Sequence, residues 1–152
     1  MFVGRHARNL DGKSRLAIPA EYVGRLAPDE RAEMYITPGV GGCIWLVPKS
    51  HWEKEFEAMA AGWSSAVPGE FYHHCQLRPV DKAGRILLDE QVRQLAGIPD
   101  PARDGASAVM VCGSGRFLQV WDRATYEGRA ATPRDFARAL SAGGAVGAAR
   151  PE

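Results

Sequence analysis

Leu10-Asp11-Gly12-Lys13-Ser14-Arg15-Leu16-Ala17-Ile18-Pro19 and, 70 positions later, Val80-Asp81-Lys82-Ala83-Gly84-Arg85-Ile86-Leu87-Leu88-Asp89 are two versions of one pattern. An apolar residue precedes Asp, three turn-forming residues follow, then Arg and a short apolar run. Internal repetition of this kind governs the whole fold. The pattern also extends outward from the turns. With the offset reduced to 69, Val23 matches Val92 and Leu26 matches Leu95; with an offset of 74, Cys43-Ile44-Trp45-Leu46-Val47-Pro48 matches Phe117-Leu118-Gln119-Val120-Trp121-Asp122, and Trp52-Glu53 matches Tyr126-Glu127. The residues gained by the second half fall in Pro99 to Ala106, whose Pro, Asp and Gly content predicts a loop.

Each half therefore predicts the same series of elements. Residues 3–10 and 72–80 supply a strand before each turn, and Arg15 to Ile18 and Arg85 to Leu88 a short strand after it. A helix follows. Asp89 is its N-cap and Gly97 its stop in the second half, with Val92, Leu95 and Ala96 on one face; Ala20, Val23 and Leu26 make the corresponding stripe in the first. A hairpin comes next, Met34 to Thr37 with Cys43 to Val47, and Ala108 to Cys112 with Arg116 to Trp121. A second helix closes each half. Ser50 and Glu53 form a capping box, with Trp52, Phe56, Met59 and Ala60 on one side; Thr132 caps the last helix, Pro133 opens it, and Phe136, Ala137 and Leu140 form its apolar stripe. The fold class is α+β: two homologous halves, residues 1–62 and 71–140, joined by a linker at 63–70 and followed by a tail at 141–152. They pack as one pseudo-twofold unit, since about 70 residues bury their own faces poorly.

Composition excludes several classes. Hydrophobic residues at 45% and charged residues at 24% are the mix of a globular protein. The longest apolar stretches fall far short of the roughly 20 residues that span a bilayer, and Arg5 and Arg8 are followed by no apolar run, so a secretory signal and a membrane role are not expected. Cys43, Cys75 and Cys112 are odd in number and widely spaced, which fits a reducing cytoplasm. Net charge is only +1, but residues 1–15 carry Arg5, Arg8, Lys13 and Arg15 against Asp11, and residues 76–85 carry Arg78, Lys82 and Arg85 against Asp81. Cations are thus concentrated at the two turns, where they can steer a polyanion.

Asp followed by Arg four residues later has a physical logic in a hairpin turn. Asp11 and Asp81 accept bonds from the turn's own N–H groups, and Gly12 and Gly84 can take positive φ. The carboxylate also holds the guanidinium in one direction. An arginine fixed in this way, with Lys13 or Lys82 beside it, is preorganised for phosphate or for the O6/N7 edge of guanine. The motif alone is weak, because such pairs are usually surface salt bridges. Repeated at matching places with basic neighbours it becomes moderately specific, and it points to binding of double-stranded DNA through Arg15 and Arg85. Lys13, Lys82, Arg5, Arg8 and Arg78 lend support, and Asp11, Gly12, Asp81 and Gly84 shape the turns.

Met1-Phe2, Leu10-Asp11-x-Lys13-x-Arg15-Leu16-x-x-Pro19, Trp52-Glu53, Asp81-x-x-Gly84-Arg85 and Val120-Trp121-Asp122 together make the chain similar to the MraZ family, whose members pair two AbrB-like, swapped-hairpin units. The resemblance runs to about residue 140. It implies a cytoplasmic, nucleoid-associated transcriptional regulator that binds short promoter repeats, often repressing the operon for division and cell-wall synthesis. It also implies a ring-shaped homo-oligomer, an octamer or larger. The family's first motif reads Asp-x-Lys-Gly-Arg, whereas this chain has Ser14 at the glycine position and Gly12 two places earlier. A different backbone type is therefore expected for the first turn. Val3 stands where members often carry Arg, with Arg5 and Arg8 nearby.

Other chemistries are less well supported by the residues. His73-His74-Cys75 lacks the spaced partners that zinc requires, and neither a metal nor a cofactor is expected. The same residues make a poor nucleophile–base pair, because strand neighbours point to opposite faces and no third group orients them, so the chain is not expected to be an enzyme. Gly39 to Gly42 lies in a hairpin, too far from Lys49-Ser50 to be a phosphate loop. Trp45, Trp52 and Trp121 read as core, and Trp63 as a linker contact. The principal rival to DNA binding is a protein–protein module, antitoxin-like or scaffolding, whose basic turns hold an acidic partner; a small enzyme using the His-His-Cys region is the other.

Overall fold

Alternation along four strands explains the architecture. In a computed structural model of the chain, Ile44, Leu46, Met34, Ile36, Val109, Val111, Leu118 and Val120 enter one apolar cluster, while their neighbours Trp45, Val47, Tyr35, Met110, Cys112, Phe117 and Trp121 enter another. Successive side chains of a strand point to opposite faces, so the sheet is buried on both sides. The structure describes residues 1–29, 33–52, 54, 67–104, 107–129 and 133–142.

The strands are β1 (Arg5–Asn9), β2 (Arg15–Ala17), β3 (Met34–Pro38), β4 (Ile44–Pro48), β5 (Gln76–Arg78), β6 (Arg85–Leu87), β7 (Ala108–Gly113) and β8 (Leu118–Asp122). The helices bounded within the described residues are α1 (Ala20–Val23), α2 (Val67–His73), α3 (Glu90–Ala96), α4 (Pro101–Asp104), α5 (Arg123–Glu127) and α6 (Pro133–Ser141). Six strands form one sheet in the order β1-β7-β8-β4-β3-β5; β2 and β6 form a separate ribbon. Every strand pairing among the described residues is antiparallel. The expected α+β class is thus observed.

The two halves are interleaved. β1 of the first half pairs with β7 of the second, and β5 of the second pairs with β3 of the first. Neither half holds a complete sheet. The registers also carry the pseudo-twofold relation. Leu16 faces Ile86 at the centre of the ribbon, and Trp45 faces Gln119 at the centre of the sheet, so the pseudo-dyad runs through both pairs. The ribbon is extended symmetrically, by Ile18 N–H donating to the Gly84 carbonyl and Leu88 N–H to the Ser14 carbonyl, each at 2.9 Å.

The larger core lies between the sheet and a layer made by the ribbon, α1 and α3. Leu16, Ile86, Leu88 and Val92 are fully buried there, with Tyr22 and Leu26 from the first half. On the other face, Trp52 stacks on Tyr35 with ring centroids 3.7 Å apart, and Tyr126 packs on Trp121. The helix signals at Asp89 and Gly97 are borne out. Asp89 accepts from Val92 N–H at 3.0 Å, and Gly97 sits at φ +65, a left-handed stop.

Several expectations need correction. Only Gln76–Arg78 of the stretch 72–80 is strand, and α2 begins at Val67, within the expected linker. Glu70 sits in its first turn, where an acid suits the helix dipole. In α1 the buried residue is Tyr22 and not Ala20, because its ring packs against Phe2 and His6 and its hydroxyl donates to the Val3 carbonyl at 2.7 Å. The Pro99–Ala106 loop holds the short helix α4, opened by Asp100 accepting from Ala102 N–H. The apolar stripe of α6 does not enter a core, with Phe136 62% and Leu140 58% exposed. The Glu53 arm of the capping box, Phe56, Met59, Ala60, Trp63, Thr132 and residues 143–152 lie outside the described residues.

Candidate nucleic-acid interface

Each turn is a three-residue hairpin loop closed by its own aspartate. Asp11 N–H donates to the Arg15 carbonyl at 3.1 Å and Ser14 N–H to the Asp11 carbonyl at 2.9 Å; Asp81, Arg85 and Gly84 repeat both bonds at 2.9 Å. Asp11 Oδ1 accepts from Lys13 N–H and Arg15 N–H, both at 2.9 Å, and Asp81 Oδ1 accepts from Ala83 N–H and Arg85 N–H at the same distance. The second carboxylate oxygen accepts from the arginine itself, Arg15 Nε at 2.8 Å and Arg85 Nε at 3.1 Å. One aspartate thus fixes both the backbone of its turn and the direction of its guanidinium.

The left-handed residue of each loop is the third, at Ser14 (φ +64) and Gly84 (φ +78). This is the arrangement of a three-residue hairpin with a bulge at its last position. Two expectations are corrected here. Gly12 does not take positive φ, because it occupies the first loop position, and the first turn does not differ in backbone type from the second. Ser14 adopts the conformation for which glycine is the usual choice.

The ribbon orients what the turns prepare. Alternation sends Leu16, Ile86, Ser14 and Gly84 inward and leaves Arg15, Ala17, Arg85 and Leu87 on the outer face. Antiparallel pairing sets the two loops at opposite ends of the ribbon, related by the pseudo-dyad. Arg15 and Arg85 are 30% and 36% exposed, and Arg85 Nη1 lies 3.9 Å from Asp11 Oδ2, so the two Asp–Arg pairs touch. Lys13 and Lys82 stand exposed in the loops with no acidic partner among the described residues. They are not dyad mates. Lys13 is the second loop residue of its turn, and Lys82 is the first of the other.

The remaining basic candidates divide. Arg8 and Arg78 lie on edge strands, on the sheet face that carries the ribbon, opposite Val109 and Met34. Arg78 is held there by Asp89 Oδ2 at 3.0 Å and Gln76 Oε1 at 3.0 Å, whereas Arg8 bonds the Ala7 carbonyl. Arg5 is not brought to the turns. It lies on the other sheet face against Tyr126 Oη at 3.3 Å and lines a concavity with Arg129 and Phe136. Arg93 was not anticipated. It is buried, yet its guanidinium bonds Ser14 of the first turn. Sequence separation conceals such a contact, since the two residues belong to different halves.

Electrostatics supports fixed carboxylates at the turns. Burial pushes the Asp11 carboxyl up, but bonds from the Arg15 amide and guanidinium and the Lys13 amide outweigh it and hold it below the usual range. Asp81 is held low first by the Arg85 amide and then by its guanidinium. Asp89 is raised by burial but lowered more by Val92 N–H, Gln76 and Arg78. A carboxylate with a depressed folded-state pKa stabilises the fold above its unfolded value of about 3.9, and that contribution is lost as pH falls through the folded value. The urea midpoint is therefore expected to hold from neutral pH down to about pH 5 and to fall below about pH 4. Asp11→Asn, Asp81→Asn and Asp89→Asn combined should flatten that acid limb. An unchanged limb in the triple variant would refute the assignment.

The His-His-Cys stretch is arranged differently from a reactive centre. His73 and His74 both lean on Glu70, at 3.5 and 3.2 Å, at the end of α2. Burial pushes the Cys75 thiol up to about 12, and its Sγ contacts the Phe71 carbonyl, so it is a thiol and not a thiolate at neutral pH. Cys43 and Cys112 are free and buried in the smaller core. No described helix is long and apolar enough to cross a membrane.

A family model described as "MraZ protein, putative antitoxin-like" matches residues 1–67. Proteins described as transcriptional regulator MraZ are similar over most of the chain. That of Verminephrobacter eiseniae is 32% identical over 136 residues, covering 86% of this chain and 89% of its own length. That of Variovorax paradoxus has the same identity and coverage. That of Burkholderia cenocepacia is 31% identical over 135 residues, covering 85% of this chain and 87% of its own.

Proposed function

The chain belongs to the MraZ family, and from that membership together with the paired turns we propose that it is a transcriptional regulator that binds duplex DNA through Arg15 and Arg85. One observation carries the reading: two dyad-related arginines, each aimed by its own aspartate, share the exposed face of one ribbon. A guanidinium held in one direction has already lost the freedom that binding would remove, which favours bidentate contact with guanine O6 and N7. Lys13 and Lys82 at the loops meet phosphates, with Arg8 and Arg78 on the flanking strands as further cations. Asp11 and Asp81 shape the turns without touching DNA.

One ribbon has a small footprint, so useful affinity calls for several subunits on tandem promoter repeats. The family's ring-shaped homo-oligomer would supply them. By the same family reasoning the target is the division and cell-wall operon, the effect repression, and the setting the cytoplasmic nucleoid. Catalysis has no place in this reading.

Binding to duplex DNA from upstream of the chain's own gene, compared with a shuffled duplex, tests the proposal. Preference for the promoter is expected, with affinity falling steeply between roughly 50 and 200 mM salt. Binding of an acidic protein with no preference among duplexes would favour the antitoxin-like or scaffolding alternative. Lys13→Ala and Lys82→Ala should each weaken binding alike on both duplexes and reduce the salt slope by about 1. A slope unchanged by either substitution would remove the lysines from the interface.

A further inference from the structure

We infer that Arg93 is a positioning residue for the first turn, holding Ser14 in the left-handed conformation that Gly84 adopts unaided in the second. The proposal rests on the DNA-binding reading only for its consequence at Arg15. Ser14 is the one non-glycine residue at positive φ among the described residues. A side chain in that region costs free energy, because its Cβ crowds the following carbonyl. A buried hydroxyl adds a further cost unless it is bonded.

Arg93 and Leu88 meet both demands. The Ser14 hydroxyl donates to the Leu88 carbonyl, and Arg93 Nη1 donates to Ser14 Oγ at 2.5 Å and to the Leu88 carbonyl at 3.0 Å. The Leu88 N–H closes the group by donating to the Ser14 carbonyl at 2.9 Å. Arg93 comes from α3 of the second half, and its Nη2 lies 3.9 Å from Asp100 Oδ2. The next residue after Ser14 is Arg15, whose amide and Nε are both held by Asp11. Loss of the left-handed turn at Ser14 would therefore release the aim of Arg15.

The second turn is built in the opposite way. A Cβ added at Gly84 would lie 3.3 Å from Val23 Cγ2 of α1. The offset that matches Val92 with Val23 matches Arg93 with Gly24, so the first half has no side chain at that place. Glycine is paired with a close-packed valine in one half, and serine with a donating arginine in the other.

The test uses the full chain with Arg93→Met, Ser14→Gly and the two combined. Two readouts are followed: amide hydrogen exchange in both turns and affinity for the promoter duplex. In Arg93→Met, exchange at Lys13 and Arg15 is expected to rise at least about tenfold relative to Ala83 and Arg85, and promoter affinity to fall about tenfold, as for loss of one well-aimed base contact. In the double variant, glycine needs no support, and both readouts should return to within about twofold of the parent. Should Arg93→Met alone fail to fold, Arg93→Lys replaces it with the same expected selectivity for the first turn. Equal rises in both turns, no rise in either, or a double variant as impaired as Arg93→Met would overturn the proposal. If the parent shows no preference for the promoter, the regulatory reading fails, while the exchange measurement still decides the role of Arg93.

Discussion

Arg15→Ala combined with Arg85→Ala is expected to abolish promoter-specific binding while leaving the fold intact. A good bidentate contact to guanine is worth about 1–3 kcal/mol, so two together represent roughly 2–6 kcal/mol, on the order of 30-fold to beyond 10,000-fold in affinity. The loss of stability should be small. Both arginines are partly exposed, and their ion pairs with Asp11 and Asp81 lie at the surface, where such pairs contribute about 0–1 kcal/mol. The turn backbone keeps its aspartate bonds, because Asp11 and Asp81 still accept from the amides at positions 13, 15, 83 and 85. Each single variant should lose part of the affinity, since the two sites are dyad-related. Gel-shift titration beside size-exclusion chromatography would check this. Normal promoter binding by the double variant would show that the proposed site is wrong.

Leu16→Ala is expected to cost about 2–5 kcal/mol in stability, the range for truncating a large residue in a close-packed core. Leu16 is fully buried and faces Ile86 at the centre of the ribbon, on the pseudo-dyad. Its loss would leave a cavity where both halves meet, in a cluster whose members Ile86, Leu88 and Val92 are also fully buried. Leu87→Ala provides the contrast. Leu87 lies on the outer face of the same ribbon and is 37% exposed, so its truncation should cost well under about 1 kcal/mol. Urea midpoints of the two variants decide the matter. Equal losses would mean that the ribbon does not face the core as described.

The parts of this molecule governed by local rules could be read from the residues. Asp11 and Asp81 announce the turns, Asp89 and Gly97 bound α3, and the apolar run from Cys43 to Val47 marks a hairpin strand, which the structure buries on both faces. The repeat itself pointed to the pseudo-twofold unit. What escaped depends on contacts between halves. Nothing in residues 5–9 tells that β1 pairs with β7, about a hundred residues away, because edge pairing leaves no local mark. Tyr22 displaced Ala20 as the buried residue of α1 because Phe2 and Val3 of the N-terminal segment provide it with a pocket and an acceptor. Glycine preference suggested Gly12 as the left-handed residue, but loop position decides φ and gave that place to Ser14. Its support, Arg93, lies 79 positions away on a helix where a basic residue near the C-terminus ordinarily suits the dipole alone.

Guanine N7 protection from dimethyl sulfate, on DNA upstream of the chain's own gene, shows whether Arg15 and Arg85 read bases. It reads the atom that a bidentate arginine would cover in the major groove. Protected guanines at regularly spaced repeats are expected with the parent chain, and loss of that protection with Arg15→Ala and Arg85→Ala combined. Absence of protection with the parent, or the same protected guanines with the double variant, would contradict this role for the two arginines.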